Sequence, residues 1–282
     1  MLVFTTKQSL KNHLTPYYIQ HKKVGFVPTM GALHIGHISL VDRSLNENDF
    51  TVVSIFVNPT QFNNNGDLNN YPRNLEQDID LLKKTSKNII VFSPTPEDLY
   101  NNKIAPISFD FEELANQMEG KFRPGHFDGV GTVLTHLFNA IKPTCAYFGE
   151  KDFQQLQIVR KLVAIQKFNI EIIGCEIYRE ITGLAFSSRN QRLSKTQKEK
   201  ACIIYKTLQE SKKMFGIKNA LEITAYVKSI FEKQSTFDLE YFEIADEEAL
   251  ETATEIETSK KYRAFIAVFV NQIRLIDNIA LN

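Results

Sequence analysis

Short apolar runs alternate with segments of helical periodicity from the start of the chain to residue 176. The continuous apolar runs have the length of strands that are buried on both faces: 24–27, 52–57, 89–92, 144–148 and 170–174. Between them, apolar residues recur three and four positions apart, at 40–45, 75–82, 133–141 and 156–163. Strands joined by helices of this length form βαβ units. The pattern therefore predicts a Rossmann-like parallel sheet.

The pattern changes after residue 176. Ser194–Phe215 and Asn219–Lys233 have the periodicity of amphipathic helices. Three strand-like segments follow at Asp238–Ala245, Arg263–Val270 and Ile273–Asp277, the last two meeting around a turn at 271–272. We thus expect an α/β protein, with a Rossmann-like catalytic domain at residues 1–176 and a smaller α+β domain at residues 177–282.

Composition and charge limit the classes of binding partner and the cellular compartment that we expect for this protein. The 33 basic and 33 acidic side chains cancel, so no global field favours nucleic acid or an anionic membrane. No apolar run reaches the ~18 residues of a membrane span, and the first eleven residues lack the core of a signal peptide. The three cysteines form no C-x-x-C pair, and Cys145 and Cys175 lie in apolar runs typical of buried thiols. We expect a cytoplasmic protein that binds neither nucleic acid nor membrane.

The segment that follows the first predicted strand carries the strongest chemical signal: Pro28, Thr29, Met30, Gly31, Ala32, Leu33, His34, Ile35, Gly36 and His37. Two histidines three residues apart at the start of a helix can face the same ligand. The helix start also offers free N–H groups and a positive dipole end, which suit a phosphate. Two alternatives stay open here, a metal-binding pair and ordinary surface or core histidines. Zinc-binding pairs on helices are usually four residues apart with a nearby Glu.

Other polar segments also follow predicted strands, and ligands of parallel sheets bind at the carboxyl ends of the strands. Asn58 and Gln61 offer neutral amides for a hydroxyl or carboxylate, or else form a simple Asn-Pro turn. Lys151 supplies a charge for phosphate, while Asp152 suits a ribose hydroxyl or a helix cap. Gln155, one turn further on, could face the same ligand as Gln61. An asparagine-rich stretch at 63–70 is expected to be a mobile loop.

Two further loops complete the set. Residues 183–190 place two serines before an arginine, which suits a clamp on a nucleotide, although such a triplet occurs in many loops. Residues 119–130, which include Arg123, are rich in glycine and basic residues. This segment could form a wall of the active site or merely a structural crossover.

Six motifs, in order over residues 24–190, resemble those of the pantothenate synthetase (pantoate–β-alanine ligase) family. They are Pro28-Thr29-Met30-Gly31-Ala32-Leu33-His34-x-Gly36-His37, Phe56-Val57-Asn58-Pro59-x-Gln61-Phe62, Tyr71-Pro72-Arg73, Arg123-Pro124-Gly125-His126-Phe127-x-Gly129-Val130, Phe148-Gly149-x-Lys151-Asp152-x-Gln154-Gln155 and Gly183-Leu184-Ala185-x-Ser187-Ser188-Arg189-Asn190. This family belongs to the nucleotidylyltransferase-like group with the HxGH motif. The resemblance implies that pantoate and Mg-ATP give pantoyl adenylate, which β-alanine then converts to pantothenate and AMP.

The resemblance also implies roles for individual residues. The catalytic residues would be His34, His37, Lys151 and Arg189. The nucleotide would contact residues 28–37 together with Gly149, Glu150, Lys151, Asp152, Tyr178, Phe186, Ser187, Ser188 and Arg189. Substrate contacts would come from Asn58, Gln61, Phe62, Arg123 and Gln155, and Asp78 would contact Mg²⁺. Tyr178 and Phe186 differ from the residues that usually flank the adenine in this family.

Two other functions compete with the ligase. A nucleotidylyltransferase would stop after nucleotidyl transfer and would have no use for the amides of Asn58, Gln61 and Gln155. A regulatory protein with an inactive site would not need both histidines, Lys151 and Arg189. By analogy with the family, we expect a homodimer whose small-molecule partners are ATP, pantoate and β-alanine.

Overall fold

The computed structural model describes residues 1–61, 71 and 73–282. Phe62 and the whole asparagine-rich stretch at 63–70, whose expected mobility stays a prediction, lie outside these residues. The described residues form two compact units. The first contains Met1–Ala115, Gly120–Glu150 and Gln155–Glu176, and the second contains Asn116–Glu119, Lys151–Gln154 and Ile177–Asn282. No helix in the described part of the chain is both long and apolar enough to cross a bilayer.

A six-stranded parallel sheet forms the first unit, which confirms the predicted α/β class. Its strands are β1 (Leu2–Phe4), β2 (Val24–Thr29), β3 (Phe50–Ile55), β4 (Ile89–Phe92), β5 (Cys145–Gly149) and β6 (Glu171–Cys175). Their order across the sheet is β1-β4-β3-β2-β5-β6. β2, β3 and β4 are buried along almost their whole length, which explains their continuous apolar sequences.

The connecting segments contain the helices α1 (Lys7–Ile19), α2 (Ile35–Glu47), α3 (Leu75–Thr85), α4 (Pro96–Tyr100), α5 (Met118–Phe122), α6 (His126–Ile141) and α7 (Phe153–Gln166). α2 is anchored on the sheet by a buried pair of hydroxyls, with Ser44 Oγ 2.7 Å from Thr51 Oγ1 of β3. Asn74 caps α3, because its side chain accepts the backbone N–H of Gln77. The C-terminal part of α2 is therefore held against β3.

The second unit contains a three-stranded antiparallel sheet and two long helices. These are α8 (Lys195–Met214), α9 (Ala220–Phe231), β7 (Phe237–Asp246), β8 (Tyr262–Val270) and β9 (Ile273–Ala280), with the strand order β7-β8-β9. Ser194 and Asn219 cap the two helices through capping boxes. The predicted α+β character is confirmed, whereas the division at residues 176 and 177 into two domains stays a prediction.

Candidate active site

A tight turn joins β2 to α2 and is fixed by side chains from neighbouring elements. Thr29 Oγ1 donates to the carbonyl of Ser54 (2.7 Å) and accepts the N–H of Gly31 (3.2 Å). On the other side, the Asp78 carboxylate of α3 accepts the N–H groups of Ala32 (3.0 Å) and Leu33 (2.7 Å). These bonds hold the turn that leads into the two histidines.

Asp78 is 4% exposed. Burial raises its pKa above the ordinary value, while the two N–H bonds lower it. Mg²⁺ holds its coordinated waters tightly and takes few protein ligands, so a buried carboxylate that already binds two N–H groups fits a structural anchor better than a direct metal ligand. Its contact with magnesium stays a prediction.

His34 and His37 lie together at the start of α2, as the sequence predicts. His34 is the N-cap, and the two rings lie 4.0 Å apart between centroids. His37 Nδ1 accepts the backbone N–H of His34 at 3.3 Å. A ring nitrogen that accepts carries no proton, so the neutral ring of His37 has its proton on Nε2 and can donate there. Among the described residues, no group of three or more His, Cys, Asp or Glu could hold a metal.

Asn58 lies beyond the end of β3 and is only 1% exposed. Its Nδ2 donates to Gln61 Oε1 (3.0 Å) and to the carbonyl of Gly129 (3.1 Å). Its Oδ1 accepts from Thr60 Oγ1 (2.9 Å) and from the hydroxyl of Tyr100 (2.5 Å). Because its donors and its acceptor all bind protein groups, these contacts favour a role in orienting Gln61 over direct substrate contact.

Gln61 ends a short 3₁₀ helix (Pro59–Gln61) and connects several predicted residues. Its Nε2 lies 3.0 Å from Met30 Sδ, so the segments that follow β2 and β3 do meet. Its carbonyl lies 2.9 Å from His126 Nδ1, and Arg123 Nη1 lies 3.3 Å from His126 Nε2. A carbonyl only accepts and a guanidinium only donates, so the contacts require a neutral His126 with its proton on Nδ1.

The remaining predicted residues of the first unit lie in or next to the ends of strands and helices. Pro28 is half-buried in β2, Ile35 and Gly36 begin α2, and Gly149 ends β5. Glu150 opens a 3₁₀ turn (Glu150–Asp152), and Gln155 is partly buried in the first turn of α7. Their ligand contacts stay predictions.

Lys151 and Asp152 belong to the second unit, where Lys151 Nζ lies 3.8 Å from Asp152 Oδ1. The Lys151 side chain is mostly buried, whereas that of Asp152 is half exposed. A pocket in this unit brings Lys151 together with the predicted serine–arginine loop, and its polar lining consists of Lys151, Ser187, Arg189, Asn190, Arg274 and Asp277. Arg274 is neutralised by two carboxylates, Glu119 and Glu240.

A tight loop at residues 178–190 carries the rest of the predicted nucleotide contacts. The rings of Tyr178 and Phe186 pack edge to face, 5.5 Å apart. Gly183 has a φ of +90°, and a Cβ there would lie 2.6 Å from the Tyr205 ring, so only glycine fits this turn. The Ser187 hydroxyl accepts the N–H of Arg189 and thereby caps the 3₁₀ helix that contains Ser188 and Arg189.

Sequence reasoning missed four residues that hold the predicted ones: Tyr100, His126, Asp277 and Asn278. Asn58, which Tyr100 contacts, and Gln61, which His126 contacts, are distant from them in the chain, so no local pattern reveals these contacts. Asp277 did leave a signal, because it follows Ile273 and Leu275 at the same face of β9 and is buried as they are. A carboxylate at a position where the alternation demands an apolar residue indicates a buried partner.

Known proteins are similar to this chain over nearly its whole length. The sequence profile of the family described as "Pantoate-beta-alanine ligase" matches residues 2–280. A pantothenate synthetase of Flavobacterium psychrophilum is 58% identical over 281 residues, which cover 100% of both chains. Another, of Christiangramia forsetii, is 53% identical over 282 residues, again with 100% of both chains covered.

Solved structures are similar over the same length. The crystal structure of a pantothenate synthetase from Thermus thermophilus has a TM-score of 0.91 and 37% identity, covering 100% of this chain and 99% of that one. A pantoate-beta-alanine ligase from Francisella tularensis, complexed with "Beta-gamma ATP and Beta-alanine", has a TM-score of 0.82 and 37% identity, covering 100% and 98%.

Proposed function

The chain belongs to the pantoate-beta-alanine ligase family, and from this premise we propose how its own residues carry out the reaction. Members of the family join pantoate to β-alanine with ATP, and this is the activity of the chain. One observation supports the assignment of roles to residues. The chain matches the family over residues 2–280, and it also has the His34–His37 pair at a helix start and the buried Asn58–Gln61 amide pair after the neighbouring strand.

In the first step, a carboxylate oxygen of (R)-pantoate attacks the α-phosphorus of ATP, and the bond to the β-phosphate breaks. Pantoyl adenylate forms and pyrophosphate leaves. Both reactants are anions, so the site must offset their repulsion and align them. His37 donates its Nε2 proton to the α-phosphate oxygens as their charge develops, and His34 assists from the N-cap. This role is supported by the contact that leaves Nδ1 of His37 as an acceptor.

Lys151, Ser188 and Arg189 bind the β- and γ-phosphates, and the half-exposed Asp152 suits the ribose. Support comes from the pocket that groups Lys151 and Arg189 in the second unit. When bound with ATP, Mg²⁺ would supply charge neutralisation to the phosphates. Asp78 is the candidate carboxylate that would hold this ion, although its carboxylate already accepts two N–H groups.

Gln61 and Gln155 bind pantoate through its hydroxyls and carboxylate, and Gln61 also lies beside the incoming β-alanine. The family resemblance adds Phe62 and Arg123 to the residues that contact these substrates. In the second step, the amine of β-alanine attacks the acyl carbon, the bond to AMP breaks, and the amine loses a proton. The adenylate is already reactive, so no general base is required. Neutral amides reject substrates that lack a hydroxyl, because the amide groups would then be left unpaired.

Exchange of labelled pyrophosphate into ATP tests the reaction sequence. Exchange should require pantoate but no β-alanine, whereas net release of AMP should require both substrates. Exchange that requires pantoate, without any release of AMP when β-alanine is added, would favour a nucleotidylyltransferase that stops after nucleotidyl transfer. Absence of both exchange and AMP release in a folded protein would favour the regulatory protein with an inactive site.

Two variants at position 37 test the donor role of the ring. Asn approximates the position of Nδ1 and Gln that of Nε2, so His37→Asn keeps the contact with the helix start but loses the distal donor. We expect His37→Asn to slow adenylate formation in single turnover by about 10²–10³-fold, and His37→Gln to slow it less. His21→Asn, at an exposed histidine, is the matched control. Near-normal adenylate formation by His37→Asn would refute the role.

The assembly and compartment are also part of what we propose. The two buried and one partly buried cysteine all carry free thiols, which supports a reducing compartment such as the cytoplasm. Burial raises the pKa of both Cys145 and Cys175, which keeps these thiols unreactive. A homodimer rests on analogy with the family alone, and light scattering of the purified protein decides it.

A further inference from the structure

Two neighbouring polar side chains of β9 are buried in the second unit. Asp277 is 4% exposed and Asn278 is 1% exposed. Buried polar groups are costly unless hydrogen bonds satisfy them. Each of these two side chains is satisfied by a different segment, and both segments carry residues that we assign to phosphate binding.

Asn278 holds the backbone of Lys151. Its Nδ2 donates to the Lys151 carbonyl at 2.9 Å, and its Oδ1 accepts from Arg263 Nη1 at 2.6 Å. Because the carbonyl only accepts and the guanidinium only donates, the amide has one chemically consistent orientation. Arg263 is itself fixed by Glu247 (2.8 Å) and by the Phe153 ring beneath its guanidinium. The backbone that carries the Lys151 side chain is thus tied to the C-terminal sheet.

Asp277 holds the other segment through Arg179. The two side chains form a bidentate ion pair, with N···O distances of 2.6 and 2.9 Å. Arg179 Nη1 also donates to the carbonyl of Gly183 at 3.0 Å, and its guanidinium lies 3.7 Å from the centroid of the Tyr205 ring. Gly183 begins the loop that leads to Ser187, Ser188 and Arg189. The ion pair therefore fixes that loop and also neutralises a carboxylate that lines the pocket.

We propose that Asp277 and Asn278 are positioning residues that fix Lys151 and the serine–arginine loop relative to each other before ATP arrives. This inference rests on the proposed function, in which Lys151 and Arg189 bind the triphosphate. Neither Asp277 nor Asn278 needs to touch the nucleotide. Cationic side chains that are already in place lose no binding energy to rearrangement when the ligand arrives. Asp277 and Asn278 therefore raise the affinity for ATP through Lys151 and the serine–arginine loop.

Asn278→Asp is the sharpest test, because it preserves shape and replaces the donor that faces the Lys151 carbonyl by an acceptor. We expect the KM for ATP to rise tenfold or more, while the KM for β-alanine stays within twofold. Asn282→Asp is the matched control. Asn282 also bridges backbone groups of this unit, those of Tyr262 and Lys260, and its variant should leave both constants unchanged.

A double-mutant cycle separates positioning from general damage. Lys151→Ala removes the ammonium group that Asn278 positions, so adding Asn278→Asp to it should change the KM for ATP by less than twofold. An equal increase in both backgrounds would overturn the inference, as would a folded Asn278→Asp with unchanged KM for ATP. If Asn278→Asp does not fold, Asn278→Ala takes its place in the cycle. Unchanged ATP affinity in Lys151→Ala alone would instead refute the proposed role of Lys151.

Discussion

Substitution of Gly129 by alanine should damage the proposed pantoate subsite without unfolding the protein. Gly129 lies in the first turn of α6, against the 3₁₀ helix that ends at Gln61. An added Cβ would lie 2.3 Å from the Thr60 carbonyl oxygen and 2.7 Å from Gln61 Cα. Ordinary contact begins at 3.4 Å, so the backbone of Thr60 and Gln61 must move by about 1.1 Å (3.4 − 2.3).

The magnitude of the effect follows from that displacement. A misplacement of about 1 Å in a group that positions substrate costs about 100-fold in rate. Overpacking costs about 1–3 kcal/mol in stability, but alanine gains about 1 kcal/mol over glycine within a helix. We therefore expect kcat/KM for pantoate to fall about 100-fold, while the free energy of unfolding falls by only about 0–2 kcal/mol.

Initial rates of pyrophosphate release at varied pantoate, together with urea denaturation, measure both quantities. Gly131→Ala is the matched control in the same helix, because its added Cβ would meet ring atoms of Phe109 and Phe111 rather than the backbone near Gln61. It should lose stability but keep the KM for pantoate. Equal loss of kcat/KM in the two variants, or a normal KM in Gly129→Ala, would refute the reasoning.

Two further variants test the contacts around the site. Burial raises the pKa of Tyr100 to about 12, so its hydroxyl remains a donor to Asn58 at neutral pH. Tyr100→Phe should cost about 1 kcal/mol, seen in urea denaturation and as a roughly fivefold higher KM for pantoate, and an unchanged KM would contradict the orienting role of Asn58. Asp78→Asn leaves one N–H of Ala32 or Leu33 without its acceptor and should lower the free energy of unfolding by about 1–3 kcal/mol. A shift in the Mg²⁺ dependence of the rate without loss of stability would instead identify a metal contact.

The elements that sequence predicts well are those with strong local periodicity. The predicted strand at 89–92 matches β4, and the strands at 144–148 and 170–174 differ from β5 and β6 by one residue. The strand at 52–57 is shifted by two residues, because the apolar Phe56 and Val57 lie beyond the last paired position of β3. β1 has no local signal, since three residues acquire strand geometry only by pairing with β4.

In the candidate site, too, local patterns were predicted from the sequence and contacts between distant residues were not. The histidine pair is predicted because both residues belong to one turn of one helix. The orienting role of Asn58 is not predicted from the sequence, because its partners Tyr100 and Gly129 are 42 and 71 residues away in the chain. Asp277 and Asn278 were absent from the predicted site because their contacts are tertiary and no phosphate motif includes them.

The order of strands in the sheet has a consequence for how the chain assembles. Leu2 pairs with Ile90, 88 residues later, whereas Val24 pairs with Phe50, only 26 residues later. The longer loop costs about 1 kcal/mol more in closure entropy, and β1 gains only three paired residues in return. We therefore expect β2 and β3 to pair early in folding. β1 should pair late, as an edge strand that is added to a sheet that already exists.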